Sequence, residues 1–171
     1  LSVDNISIPL HEGIELALDF IAAKRQGRDV TIPYLQSDPG AGKTQLLKHV
    51  LELRKLGLIA CTPAIERTEK FGGIPNFEMV VDPVYGNQLN TVWSIPEIIA
   101  LAREQSKNYP ELILFLDDFH LCNSEKQSIF FEFFTHKKLG NHKLPDNVSF
   151  ILAGNKSGIA GAKTQFRAFR V

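Results

Sequence analysis

Apolar residues along this chain recur with two alternating periods. Ile14, Leu18, Ile21 and Ala22 fall at helical spacing and predict a helix over 11–25, ended by Gly27. Residues 30–36, VTIPYLQ, predict the first strand, with Pro33 weakening its start or placing a bulge there. Leu46, Leu47, Val50 and Leu51 then share one face of a helix that stops near Gly57, and LIAC at 58–61 predicts a second strand. Between 63 and 93 the pattern is irregular, but FEMVVDP and LNTVW flank Val84-Tyr85-Gly86-Asn87 as a hairpin would.

The second half is more regular. A helix starts near Ile95, with Ser94 and Glu97 at capping-box spacing. LILFLDD, 112–118, sets five consecutive apolar residues before two acids, as in a central strand buried on both faces. Ser124 and Gln127 are placed to cap the next helix, whose apolar face is Ile129, Phe130, Phe133 and Phe134. KKLGNHKLPDN predicts a small hairpin, and VSFILAGN, 148–155, another buried strand. Strands alternating with amphipathic helices predict an α/β protein with a parallel sheet.

Composition changes this picture little. At 171 residues the chain suits one domain, and nothing in its composition marks an internal boundary. Its 19 basic residues balance 19 acidic ones, so no overall field advertises a polyanionic partner. Cys61 and Cys122 are too few and too far apart for a disulfide framework or zinc site, and read as reduced thiols in a cytoplasmic setting. No apolar run approaches the length of a membrane span, and LSVDNISIPL lacks the basic start of a secretory leader. The start at Leu1 and the stop within FRAFRV are what a piece of a longer polypeptide would show.

The chemistry centres on SDPGAGKTQ, 37–45. A phosphate loop needs a strand, a turn with free N–H groups and a helix N-terminus, in that order, and this segment supplies all three. Gly40 and Gly42 can adopt unusual backbone angles, Lys43 can reach the outer phosphates and the Thr44 hydroxyl can ligate Mg²⁺. The cradle as a whole is Pro39, Gly40, Ala41, Gly42, Lys43, Thr44 and Gln45. Ser37 stands where the usual pattern begins with glycine, and is tolerable if its φ is negative. Asp117 and Asp118 end a buried strand, where open α/β sheets bind ligands. Asp117 would hold the metal and Asp118 would act on the attacking water. Asn155 ends a later strand and could bond the terminal phosphate or that water. The three elements come in one order, separated by helices.

These residues resemble the AAA+ ATPases. SDPGAGKT is similar to their phosphate loop, Asp117-Asp118 to their second acidic motif and Asn155 to their first sensor. CTPA at 61–64, FLDDFHLCNSEKQ and LPDNVSFILAGNKSGIAG are similar to segments of the MoxR-like branch, so the resemblance covers roughly 30–165. It implies a three-layer αβα P-loop NTPase core, with a mostly parallel central sheet and small β-hairpin insertions, using ATP and Mg²⁺, working as a ring-forming homo-oligomer such as a hexamer, and remodelling a protein partner. It also implies an insertion at 78–93 and a hairpin near 137–145 before the sensor strand. Asp118 departs from the usual Glu, and a carboxylate displaced by about 1.5 Å can cost about 10²-fold in rate. No helical lid follows in this chain; Arg167 and Arg170 are candidates for a trans-acting arginine, at a shorter spacing from Asn155 than the family implies.

Three other classes compete. Lys137, Lys138, His142 and Lys143 could touch nucleic-acid phosphates, although no aromatic stacking platform sits among them. Ser37 and Asp118 would suit a nucleotide-gated scaffold with little hydrolysis. A small-molecule kinase shares the loop but needs a lid and an acceptor pocket. His120 reads as a packing or solvent-facing residue, Trp93 and the phenylalanines as core or subunit-contact material, and Thr62 as a polar residue that could restrain the catalytic acid.

Overall fold

The computed structural model describes residues 6–24, 31–155 and 164–170, with side chains over 8–23 and 32–155. Gly27 and the loop beyond Asn155 lie outside the described residues. Along the chain run β1 (Ile6–Ile8), α1 (Leu10–Lys24), β2 (Thr31–Ser37), α2 (Lys43–Leu53), β3 (Gly57–Cys61), α3 (Glu69–Gly72), β4 (Pro75–Asp82) and β5 (Gly86–Trp93). Then follow α4 (Glu97–Gln105), β6 (Leu112–Leu116), α5 (Ser124–His136), β7 (Lys138–Leu139), β8 (His142–Lys143), β9 (Val148–Asn155) and β10 (Thr164–Arg170).

The main sheet is ordered β1-β10-β2-β9-β6-β3. Its β2, β9, β6 and β3 are mutually parallel, while β10 runs antiparallel to β2 and β1 antiparallel to β10. The layout is that of an α/β protein with a parallel core flanked by helices, consistent with a P-loop nucleotide-binding core.

The apolar run of β6 explains why it is central. Leu112, Leu114 and Leu116 join one core cluster with Ile98, Ile99, Phe130, Phe133 and Phe134, beneath α4 and α5. Ile113 and Phe115 turn to the other face and join Ile14, Leu18, Leu47 and Leu51, beneath α1 and α2. Period-2 alternation between two helix layers leaves no solvent-facing position, so every residue must be apolar.

Local details depart from the sequence reading. Pro33 makes no bulge: the register of β2 with β10 runs unbroken, and the parallel ladder to β9 starts at Tyr34, one residue after the missing N–H. The helix α2 ends at Leu53 with Lys55 in the left-handed region (φ 56°), leaving Gly57 to open β3. Ser94 and Glu97 form no capping box, because Pro96 holds the N-cap with extended ψ and Ser94 Oγ accepts instead from the Ile74 N–H at 2.8 Å. The cap of α5 is Asn123, one residue earlier than expected, whose Oδ1 accepts from the Lys126 N–H at 2.9 Å; Gln127 donates to the Cys122 carbonyl. Strands β1 and β10 and helix α3 had no counterpart in the sequence reading.

Aromatic packing carries much of the α5 face. The Phe130 ring lies 4.8 Å from Phe71, 5.5 Å from Phe119, 5.8 Å from Phe134 and 6.2 Å from Phe133, centroid to centroid. Its neighbour Phe131 is 57% exposed. Phe130→Ala is therefore expected to cost about 3–5 kcal/mol in urea unfolding, and Phe131→Ala under ~0.5 kcal/mol. Equal losses at the two positions would contradict this packing.

Candidate functional site

Three parallel strands end side by side, and their ends carry the residues singled out above. Ser37 at the end of β2 is in register with Asn155 at the end of β9. Leu116 at the end of β6, paired with Leu152, leads into Asp117 and Asp118. Strand β2 also delivers the loop 38–42, from which α2 departs at Lys43.

In that loop Gly40 and Gly42 have φ of 74° and 75°, a left-handed conformation that glycine adopts without penalty. Ser37 is a buried strand residue without positive φ, so its Cβ introduces no backbone strain, and its hydroxyl bonds the Asp38 carbonyl at 3.4 Å. Gly42 occupies the N-cap of α2 with no side-chain cap. A helix cannot satisfy its own first-turn N–H groups, and here no side chain does so from the cap position, which leaves the electropositive end available to an anion.

The side chains form two short chains of hydrogen bonds. Lys43 Nζ donates to Asn155 Oδ1 at 3.0 Å, and Asn155 Nδ2 donates to Asp118 Oδ1 at 3.0 Å. Thr44 Oγ1 donates to Asp117 Oδ2 at 3.3 Å, while Asp117 Oδ1 accepts from the Asp118 N–H at 2.9 Å. The Asp117 N–H donates to the Cys61 carbonyl at 2.9 Å, which ties this turn to β3. Asp118 itself sits at φ 49°, ψ 34°. Lys43, Thr44, Asp117, Asp118 and Asn155 are thus brought together. Pro39, Ala41 and Gln45 stay at the rim as exposed loop and first-turn residues. Among the described bonds none joins Thr62 to the acid: its N–H donates to Glu66 Oε1 at 2.7 Å, and the described bond on the Asp118 carboxylate comes from Asn155. Arg167 and Arg170 lie in β10, but their side chains are outside those described.

Several supporting residues escaped the sequence reading. Gln36 Nε2 donates to the Asn155 carbonyl at 3.3 Å and so fixes the strand end below the carboxamide. A Cβ on Gly154 would run into the Tyr34 hydroxyl and stand 2.8 Å from His120 Nδ1, so only glycine fits beside Asn155. His120, otherwise exposed, thereby approaches the back of β9. The buried Lys126 ammonium donates to the carbonyls of Pro63 at 2.7 Å and Glu66 at 2.5 Å, pinning the segment after β3. A lysine at helical spacing reads as solvent-facing, and nothing local marks it as buried.

No family model matches the chain, and no curated protein matches it. Solved structures do, among them a candidate ATPase from Cytophaga hutchinsonii, 14% identical, with a TM-score of 0.41. That match covers 89% of this chain and 46% of the other, so this chain spans less than half of that protein's length.

The turn beside the acids has a pH signature. Burial, and then the nearby Glu66 carboxylate, push the Cys61 thiol from its ordinary 9.0 up to about 12. The folded state therefore keeps a proton that the unfolded chain gives up. The stability this confers is fully present below about pH 9 and is lost as pH rises towards 12. Urea midpoints are expected to fall over that window in the wild type and to fall less steeply in Cys61→Ala; parallel slopes would remove Cys61 from the account.

Proposed function

We propose that this chain binds Mg²⁺-ATP and hydrolyses it, and that hydrolysis within a ring of identical copies drives the remodelling of a protein partner. The observation that carries the reading is the line Lys43–Asn155–Asp118, set beside Thr44–Asp117 at the carboxyl ends of adjacent parallel strands. The uncapped start of α2 and the left-handed Gly40 and Gly42 would receive the phosphates. Lys43 would neutralise the terminal ones. The hydroxyl of Thr44 and the carboxylate of Asp117 are hard oxygen donors already within 3.3 Å, a set that suits Mg²⁺, the ion that would screen charge between the outer phosphates.

Asp118 is the group for the attacking water, and Asn155 is the group that registers the terminal phosphate. Its carboxamide oxygen holds the Lys43 ammonium where a phosphate oxygen would compete for it. Once displaced, the amide is free to release Asp118. The basic hairpin β7–β8 argues less for nucleic acid than its composition did. Lys137 donates to the Val148 carbonyl at 2.9 Å, Lys138 lies 3.7 Å from Glu132, and His142 is bonded to the Trp93 carbonyl.

The test is the rate of Mg²⁺-ATP hydrolysis per chain against protein concentration, with Lys43→Ala as the blank. A rate that climbs with concentration is expected, since a ring shares its sites between neighbours. Asn155→Ala should keep nucleotide binding and lower turnover by about 10²-fold. A flat, Lys43-dependent rate would point to a self-contained enzyme such as a kinase. No rate above the blank, with binding intact, would leave the nucleotide-gated scaffold.

A further inference from the structure

Strands β4 and β5 form a two-stranded ribbon separate from the main sheet. The pairing is complete from Pro75↔Trp93 to Asp82↔Gly86. Both ends are fastened: Ile74 and Ser94 exchange hydrogen bonds at the base, and Asp82 Oδ1 accepts from the Val84 and Tyr85 N–H groups at 2.7 and 2.9 Å in the turn. This is a built element, not a frayed loop.

Its two faces differ. Alternation along the register places Pro75, Phe77, Met79 and Val81 with Leu89, Thr91 and Trp93 on one face, with Asn87 at its turn end. On that face Phe77 is 68% exposed, Met79 65%, Val81 73%, Leu89 63% and Trp93 54%. Trp93 and Phe77 are thus not core, contrary to one of the two expectations for them. The ribbon's only charged residues, Glu78 and Asp82, fall on the opposite face with Asn76, Gln88 and Asn90, where the apolar side chains are the smaller and less exposed Val80 and Val92.

An isolated two-stranded ribbon is marginal in water and needs a third strand or a covering layer. We infer that the cover is a second copy of this chain, its ribbon packed face to face on the first about a two-fold axis. Charge placement permits a like partner. A two-fold contact apposes a patch with itself, and this patch carries no charge, so no like charges meet when two copies stack. Area favours it. The five side chains expose on the order of 500 Å² per copy. A pair, with Pro75, Thr91 and the turn residues Val84 and Tyr85 as rim, then approaches the ~1,200 Å² at which specific interfaces begin. The contact uses no residue of the nucleotide site, so it forms without nucleotide and is distinct from ring assembly.

Sedimentation velocity over a wide range of chain concentrations, without nucleotide, tests this. The wild type and Lys43→Ala are both expected to pass from monomer to dimer as concentration rises. Met79→Lys should raise the dimer dissociation constant at least tenfold, whereas Asn90→Lys, the same new charge on the opposite face, should leave it unchanged. Both positions are exposed, so circular dichroism should show both variants folded. Mixing Met79→Lys with Met79→Glu should give a mixed dimer tighter than either variant forms alone. A chain monomeric at every concentration, a dimer indifferent to Met79→Lys, or equal effects at the two faces would each overturn the proposal. The first of these results would assign the face to a different protein or to another part of a longer chain.

Discussion

The carboxamide of Asn155 holds the site together, because it accepts from a buried cation and donates to an acid in one plane. Lys43 is only 7% exposed, and its described partner is this neutral oxygen at 3.0 Å. An ammonium has three protons to donate, and the described bond uses one of them. The other end of the carboxamide donates to Asp118, so one side chain ties the cation to the acid.

Asn155 can do this only because the sheet puts it there. The register Ser37↔Asn155 sets Asn155 level with the start of the loop, and β6 on the far side of β9 brings the acids alongside. Gly154 allows Tyr34 and His120 to close over the strand from the opposite face, while Gln36 holds the Asn155 carbonyl. The two core clusters beneath this line hold the strands in a fixed order, which is how buried leucines and phenylalanines far from the loop contribute to its chemistry.

What could be read in the sequence follows from what is local. The alternation of strands and helices, the two hairpins, the strand before the loop and the strand ending in Asp117-Asp118 are all written in short-range periodicity. The site residues stand at strand ends that the periodicity marks, so their convergence was legible too. The caps were misread by one to three residues, because Ser94 found a partner twenty residues away and Asn123 competed with Ser124 for the same job. Lys126, Gln36 and the space behind Gly154 were invisible, since each depends on a neighbour supplied by a distant segment. The ribbon was legible as a hairpin, but its exposure was not, because alternating apolar residues look the same whether or not a layer covers them.

The two departures from the usual pattern have different physical standing. Ser37 costs little, because the chain is still in β2 at that point and the left-handed turns come later, at glycines. Asp118 is a different matter. Its backbone is left-handed, a conformation that asparagine and aspartate tolerate better than longer side chains, since a short polar group can bond locally. In that conformation the short acid already reaches Asn155 Nδ2 at 3.0 Å, so a longer carboxylate would have to fold back to make the same bond. The short side chain and the tight turn therefore belong together: the left-handed backbone brings the Asp118 carboxylate to Asn155.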